Sequence, residues 1–351
     1  MRAAFQNSPA HLSAGTPVNA PLPPAPATLL DEAGLPHFGQ FAGSIASLDW
    51  SGLAQPYRRS AWWQRLHHKR WQYVALATEQ IFCGVAIVDV GWTNTAFAYV
   101  FDRQQRRLLG SFSQDGLPGL TAHLNHCPAD GAASRFRLLG NSIRFWHDAQ
   151  QQCYQLIVDA GGCQIQAQLL PATAAPSLLA IGTVADSVHA TCKSAGMPLR
   201  GEVRVGQHSF SLDQGCGSYD YSNGFLERET SWRWASAHDA AIGFNLQSGY
   251  FGDQENALWL DGQLIPLARA DFDYDAGQPM RPWHITTADG LLDLHFHPEG
   301  MRAENKNLLI AASRYVQPIG TFEGWVRASP EAAPRRISQL AGVTEDHFSR
   351  W

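Results

Sequence analysis

The sequence predicts an all-β protein built as an antiparallel sandwich or barrel, and three observations predict it. Short runs rich in Val, Ile, Phe, Tyr and Trp recur along most of the 351 residues, each bounded by Gly, Pro, Asp or Asn. Their regular spacing is that of a β-meander rather than of strands alternating with long helices. The 12 Trp and 17 Phe supply flat apolar surface that suits pleated sheets and the wall of an apolar ligand pocket.

In chain order, residues 1–28 read as a flexible Pro/Ala-rich tail lying along the body, because Pro21, Pro23, Pro24 and Pro26 enforce extended backbone and remove donors. The stretch up to Tyr57, with GLPHFGQFAGSIASLDW, is broken by Gly and Pro too often for a long helix. The first half, residues 29–193, is expected to hold strands at Arg70–Ala77, Ile81–Val90, Thr95–Asp102, Phe136–Phe145, Tyr154–Val158 and Gln164–Leu170. Of these, Ile81–Val90 is nearly all apolar, as in a strand buried on both faces. The second half, residues 194–328, continues with Leu199–Val205 and His208–Leu212. It ends in RPWHITTADGLLDLHFHPEG, which folds into a hairpin about the Asp289-Gly290 turn. Residues 329–351 form a C-terminal tail with one helix over RRISQLAGVTEDHF. GVAIVDVGW followed by FAYVFD is laid out like GFNLQSGYF followed by ALWLDG, with Gly84 matching Gly243 and Asp102 matching Asp261. The echo is that of a duplicated unit, or of two meanders sharing the same turn residues.

Bulk properties narrow the function classes. The formal charge is -5 and the 26 Lys and Arg are dispersed, which leaves no electrostatic footprint for nucleic acid or an anionic membrane. The six cysteines form no CxxC pair and no zinc-like spacing with histidine, so buried free thiols in a reduced, cytoplasmic protein are expected. The N-terminus has no apolar core of a secretory signal, and no window provides the roughly 20 apolar residues of an integral membrane segment. GxSxG, GxxxxGK[ST], GxGxxG and HExxH are absent, so hydrolase, nucleotide and zinc-protease readings fall away and no cofactor is expected. Nothing calls for an obligate protein partner.

Chemistry-bearing residues concentrate in Ser211–Gly262. Asp220, between Tyr219 and Tyr221 and near Trp232 and Trp234, is placed to be partly desolvated; its pKa would rise and make it a general acid. The alternative is that Asp213 and Asp220 cap turns. Trp232 and Trp234 share one strand face, as the wall of a hydrophobic ligand, a cation-stabilising pair, or ordinary core. Arg228, flanked by Glu227 and Glu229, anchors an acidic group or forms an internal salt bridge. Asn256 reads as a polar pocket residue or a turn former, and Tyr219, Tyr221, Trp92 and Trp283 extend the ligand wall. Asp293, His295 and His297 alternate with Leu294 and Phe296, so the three polar groups share a face that relays protons, binds metal, or simply meets solvent. No further ligands stand at fixed spacing, and no metal site is expected.

KRWQYV with GVAIVDVGW, followed by DYSNGFLERETSWRWASA, GFNLQSGYF, ENALWLDG, RPWHI, DLHFHPEG and GTFEGWV, resembles the bacterial domain of unknown function 2804 family from about Leu35 to Ala328. The resemblance implies distant similarity to the calycin-like group of carotenoid 1,2-hydratase and hydroxyneurosporene synthase-type proteins. It therefore implies two lipocalin-like antiparallel β-barrel halves with few short helices. It also implies a terpenoid-, lipid- or polyketide-like ligand and a carboxylate that protonates a double bond. On that basis the expected activity is a cofactor-independent hydratase, isomerase or cyclase, with Asp220 as acid and Asp89, His295 and His297 assisting. The alternative is a non-catalytic carrier or sensor of apolar molecules.

Overall fold

The computed structural model describes residues 21–171, 175–307 and 312–350; most of the expected tail, residues 1–20, lies outside them. Among the described residues the strands form two curled antiparallel sheets, one nearly closed into a barrel and one a half-barrel.

The first sheet begins with an edge strand, β1 (Gly39–Ala42), and a short helix, α1 (Ala61–His67). A meander follows: β2 (His68–Ala77), β3 (Ile81–Asp89), β4 (Asn94–Asp102) and β5 (Arg107–Gly116). The next is β6 (Ala122–Leu124), β7 (Ala133–Leu138), β8 (Asn141–Asp148), β9 (Cys153–Ala160) and β10 (Cys163–Leu169). The sheet is completed by β11 (Leu178–Val184), β12 (Ser187–Lys193), β13 (Met197–Val205), β14 (His208–Ser211) and β15 (Cys216–Phe225). The run expected as one strand over Phe136–Phe145 is instead a hairpin. Leu139 and Gly140 both take positive φ, +50° and +85°, the conformation that two-residue hairpin loops require. Residues 23–25 do lie along the body, with Ala25 N–H donating to Ala42 O and Ala42 N–H to Pro23 O.

The sheet comes nearly full circle where the β6 end returns towards β2 and β15: Arg70 donates from Nη1 to Leu124 O (2.7 Å), and the Tyr221 hydroxyl donates to Asn125 O (2.5 Å). Its interior is filled by side chains such as Val74, Val85, Phe136, Phe145, Leu156 and Ile165. Each such burial stabilises by about 1.5–3 kcal/mol, and the barrel interior is a packed core.

The second sheet comprises β16 (Glu229–His238), β17 (Ile242–Gly249), β18 (Ala257–Leu260), β19 (Gln263–Pro266), β20 (Ala270–Asp273), β21 (Trp283–Thr287), β22 (Leu292–Asn307), β23 (Ala312–Val326) and β24 (Arg335–Arg350). The Asp289-Gly290 hairpin forms as expected between β21 and β22, with Gly290 at φ +65° and Leu291 N–H donating to Asp289 Oδ1. The chain changes sheet between Phe225 and Glu229, so β13 to β15, placed in the second half by the division at residue 193, pair within the first sheet.

The C-terminal segment corrects a second expectation. It is neither tail nor helix but β24, hydrogen-bonded between β16 and β23. The helix-like spacing of Ile337 and Leu340 has a local cause: Phe322 and Gly324, two apart, pair with Leu340 and Ile337, three apart. One extra residue is accommodated at a bulge beside Gln339, at φ +57°, so residues three apart enter the same core.

The sheets meet through Tyr73, Phe82, Tyr99 and Phe101 of the first and Trp234, Ile319 and Val343 of the second. Tyr99 donates across the junction to Gln317 Oε1 (2.7 Å). Gly300 permits the approach: a Cβ there would stand 2.2 Å from the Phe101 ring. All six cysteines are free thiols, and no helix among the described residues is long and apolar enough to cross a membrane.

Candidate functional site

Where the sheets diverge, a mostly apolar pocket of about 230 Å³ opens between the β2–β4 face and the face of β16 and β22–β24. Strand alternation builds both walls. Trp71 and Tyr73 project from β2 and Trp232 and Trp234 from β16, each pair two residues apart and so on one face. Trp71 and Trp232 lie nearly parallel with ring centroids 6.3 Å apart, Tyr73 meets Trp234 edge-on at 5.6 Å, and His347 stacks on Trp232 at 4.0 Å.

The polar end of the pocket is built by Lys193, Asp220 and Glu255. Lys193 ends β12, all seven residues of which are buried, and its side chain is only 5% exposed. Its Nζ lies 2.5 Å from Asp220 Oδ2 and 3.2 Å from Glu255 Oε2. Asp220 Oδ1 also accepts from the Thr191 and Ser222 hydroxyls, each at 3.2 Å. Glu255 closes a 3-10 turn, Gly252–Glu255, that Gln247 pins from β17. Gln247 Oε1 accepts from Phe251 and Gly252 N–H at 2.8 and 3.1 Å, while its Nε2 donates to Glu255 Oε1 at 2.7 Å.

This cluster holds two carboxyl groups and one ammonium, and its charge balance determines where a proton resides. Burial is the main force pushing Glu255 up to about 7; Asp220 adds to it, and Lys193 opposes it. Burial alone would depress Lys193, but Asp220 and Glu255 outweigh it and hold the ammonium above its ordinary value. Lys193 therefore stays charged, and Glu255 exchanges a proton near neutrality.

On the facing wall, Glu345 accepts from Trp232 Nε1 (2.8 Å) and Gln317 Nε2 (3.0 Å), with His347 Nδ1 at 3.3 Å. At the rim the Arg302 guanidinium lies 4.0 Å over the Phe97 ring and pairs with Glu304. Lys306 bridges Asp115 (2.6 Å) and Glu304 (2.8 Å), tying the rim of one sheet to the other.

Of the residues singled out in the sequence, Asp220, Trp92, Trp232 and Trp234 line this pocket. Asp220 is inside β15 rather than capping a turn, and its carboxylate is engaged by Lys193. The others stand elsewhere. Asp89 is paired with Arg70 (2.6 Å) at the end of β3. Tyr219 and Tyr221 point from the opposite face of β15 into the barrel core, where Tyr219 packs on Tyr154. Asn256 is fully buried and bonded to Gln247 N–H and Ala268 O. Trp283 fills the second core against Tyr274, and Arg228 is exposed at the crossing between sheets. His297 pairs with Glu323 on the outer face of the second sheet, and His295 is exposed there, stacked on His284 at 4.5 Å. Among the described residues, His284, Asp293 and His295 have ligand atoms within 4.8 Å of one another and form a group that could hold a metal ion, outside the pocket. A relay from His295 or His297 to Asp220 is thereby corrected: the face that alternates with Leu294 and Phe296 points away from the pocket because those two fill the core.

Lys193, Glu255, Gln247, Tyr250 and Glu345 went unremarked in the sequence. For Lys193 a signal existed: a lone Lys ending SVHATCK, a run without Asp, Glu or Arg, where a buried cation is tolerated only with a partner. For the others none existed, since their partners come from other strands.

A family model described as a domain of unknown function (DUF2804) matches residues 23–351. No curated protein matches the sequence. Among solved structures, kievitone hydratase from Nectria haematococca superposes with a TM-score of 0.51 at 9% identity, over 90% of this chain and 98% of that one. CghA with Sch210972 superposes with a TM-score of 0.53 at 10% identity, over 92% and 96%. At these identities the likeness is one of fold.

Proposed function

This chain belongs to the domain of unknown function DUF2804 family, and from that premise we propose that it binds a largely apolar small molecule between its two sheets and protonates it without a cofactor, as a hydratase, isomerase or cyclase. One observation carries the reading: a carboxyl group, Glu255, is buried at the end of an aromatic pocket and held up to about 7. Such a group delivers a proton near neutrality, and the surrounding indole faces stabilise the positive charge that forms on an apolar substrate. Asp220 holds Lys193 in place and supplies the negative charge that keeps the Glu255 proton bound. The sharing of this fold with a hydratase supports the same reading.

The test is to incubate the protein with an organic extract of cells, repurify it and identify retained compounds by mass spectrometry. Retention of an apolar compound that is then converted, with conversion lost but retention kept in Glu255→Gln, is expected. Failure to retain any compound would overturn the reading. A non-catalytic carrier is the second reading, favoured by the mutual satisfaction of Lys193, Asp220, Glu255 and Gln247 within the protein. Retention without conversion by the wild type would select it.

A further inference from the structure

We propose that the outer face of the second sheet carries a binding site for a divalent transition ion that prefers imidazole, such as Zn2+, with His284, Asp293 and His295 as its protein ligands. The site lies outside the pocket, and the proposal is independent of what the pocket binds.

Strand register builds the constellation. Trp283, Ile285, Leu294 and Phe296 fill the core of the second sheet, so the residues alternating with them, His284 on β21 and Asp293 and His295 on β22, face outward together. His284 and His295 are direct partners across the β21–β22 pair, and their rings stack with centroids 4.5 Å apart. His284 Nε2 lies 2.8 Å from Asp293 Oδ1, and the ligand atoms of all three residues lie within 4.8 Å of one another. An ion held at about 2.0–2.2 Å by nitrogen and oxygen sets two tetrahedral ligand atoms about 3.3 Å apart. The His284–Asp293 contact is already on that scale. The stacked rings aim their nitrogens side by side, and a turn of the exposed His295 ring about χ2, a torsion with a broad well, makes them converge.

Charge favours the same occupant. Across four strands the register runs Asp273, His284, His295, Glu323, which sets a carboxylate residue beside each imidazole, the outer partner that metal-bound histidines use. Two imidazoles and one carboxylate select Zn2+, Cu2+ or Ni2+ over Mg2+ and Ca2+, which take oxygen ligands. His284 comes from a neighbouring strand, so spacing within DLHFH alone shows only two of the three ligands. The bound ion fastens β21 to β22, with water completing its shell on the open face.

The test is calorimetric titration of Zn2+ into the untagged full chain and into His295→Ala, Asp293→Asn and His297→Ala. One Zn2+ per chain is expected in the wild type. Affinity should fall by at least about 100-fold in His295→Ala and Asp293→Asn, since even the loss of an outer partner costs 10–100-fold. His297, which pairs with Glu323, is the control: His297→Ala should bind as the wild type does. Pulsed electron paramagnetic resonance of the Cu2+ form should count two coordinated imidazoles in the wild type and one in His295→Ala, while the Tm of the metal-free proteins stays equal. Wild-type binding no tighter than that of His295→Ala would overturn the proposal. So would an equal loss in His297→Ala, which would mean diffuse binding to a histidine-rich face, or displacement of Zn2+ by equimolar Mg2+, which would mean attraction to negative charge alone.

Discussion

Lys193 Nζ lies 3.2 Å from Glu255 Oε2, an ion pair that joins the last residue of β12 in the first sheet to the turn after β17 in the second. Both residues are buried, so the pair couples the assembly of the two sheets to the protonation of the pocket.

Replacing Lys193 by Met leaves two buried carboxyl groups without their cation. Breaking a buried pair from one side costs about 3–5 kcal/mol. The loss is expected to be large at pH 8 and smaller at pH 5, where Glu255 takes up a proton. Urea unfolding at the two pH values checks this; an equal loss at both would show that Lys193 acts through packing alone.

Glu255 itself imposes a slope of defined sign. Its value is raised from 4.5 unfolded to about 7 folded, so the native state binds the proton more tightly. Its contribution to stability is therefore present below about pH 4.5 and is lost as pH rises toward 7, by at most about 3 kcal/mol. Glu255→Gln should remove this component: the wild type minus variant stability should fall between pH 4.5 and 7. A flat difference would place the proton elsewhere.

Three desolvated histidines, His189 buried and His68 and His238 half-buried, act in the opposite direction. Burial pushes His189 and His238 down to about 3 and His68 down to about 4. Each is neutral in the folded state where its unfolded form is charged, so stability is full above about pH 6.5 and declines as pH falls toward 4. Three such groups outweigh the single Glu255, and net acid destabilisation is expected. His189→Phe, at a position packed between Trp71 and Phe251, should shift the acid unfolding midpoint downward. An unmoved midpoint would exclude His189 as a contributor.

Gly84 lies against Tyr99, where a Cβ would stand 2.5 Å from the ring. Gly84→Val should displace that ring, break its bond to Gln317 and cost about 1–3 kcal/mol. Tyr99→Phe, which loses the bond without the clash, should cost less. Thermal unfolding of both variants separates the two terms, and equal losses would mean that the clash is relieved locally.

Deleting residues 335–351 is expected to abolish folding of the second sheet, because β24 holds β16 and β23 together. A soluble truncated protein with native near-ultraviolet circular dichroism would contradict this.

Legibility followed the range of the interaction. Strands β2 to β4, β9 and β10 could be read from alternation and turn residues, and so could the Asp289-Gly290 hairpin, because each depends on neighbours within a few positions. The bulge at Gln339 defeated the same reasoning, since one extra residue converts strand spacing into helix spacing. At the site, Asp220, Trp92, Trp232 and Trp234 were legible as chemistry-bearing types. Their neighbours Tyr219 and Tyr221 were assigned to the pocket only because adjacency along the chain was taken for adjacency in space; on a strand, adjacent residues face opposite ways.

By itself, then, the sequence determined an all-β chain, the positions of most of its strands and turns, and the aromatic residues from which a pocket is made. Tertiary structure alone decided that β13 to β15 join the first sheet, that β24 is central to the second, and that the open space lies between the sheets rather than inside the packed barrel. It also placed a second buried carboxyl group, Glu255, at the end of the pocket, where burial first and then the neighbouring charges set its proton affinity. Those charges come from Lys193 and Asp220, on strands that only the folded chain brings together.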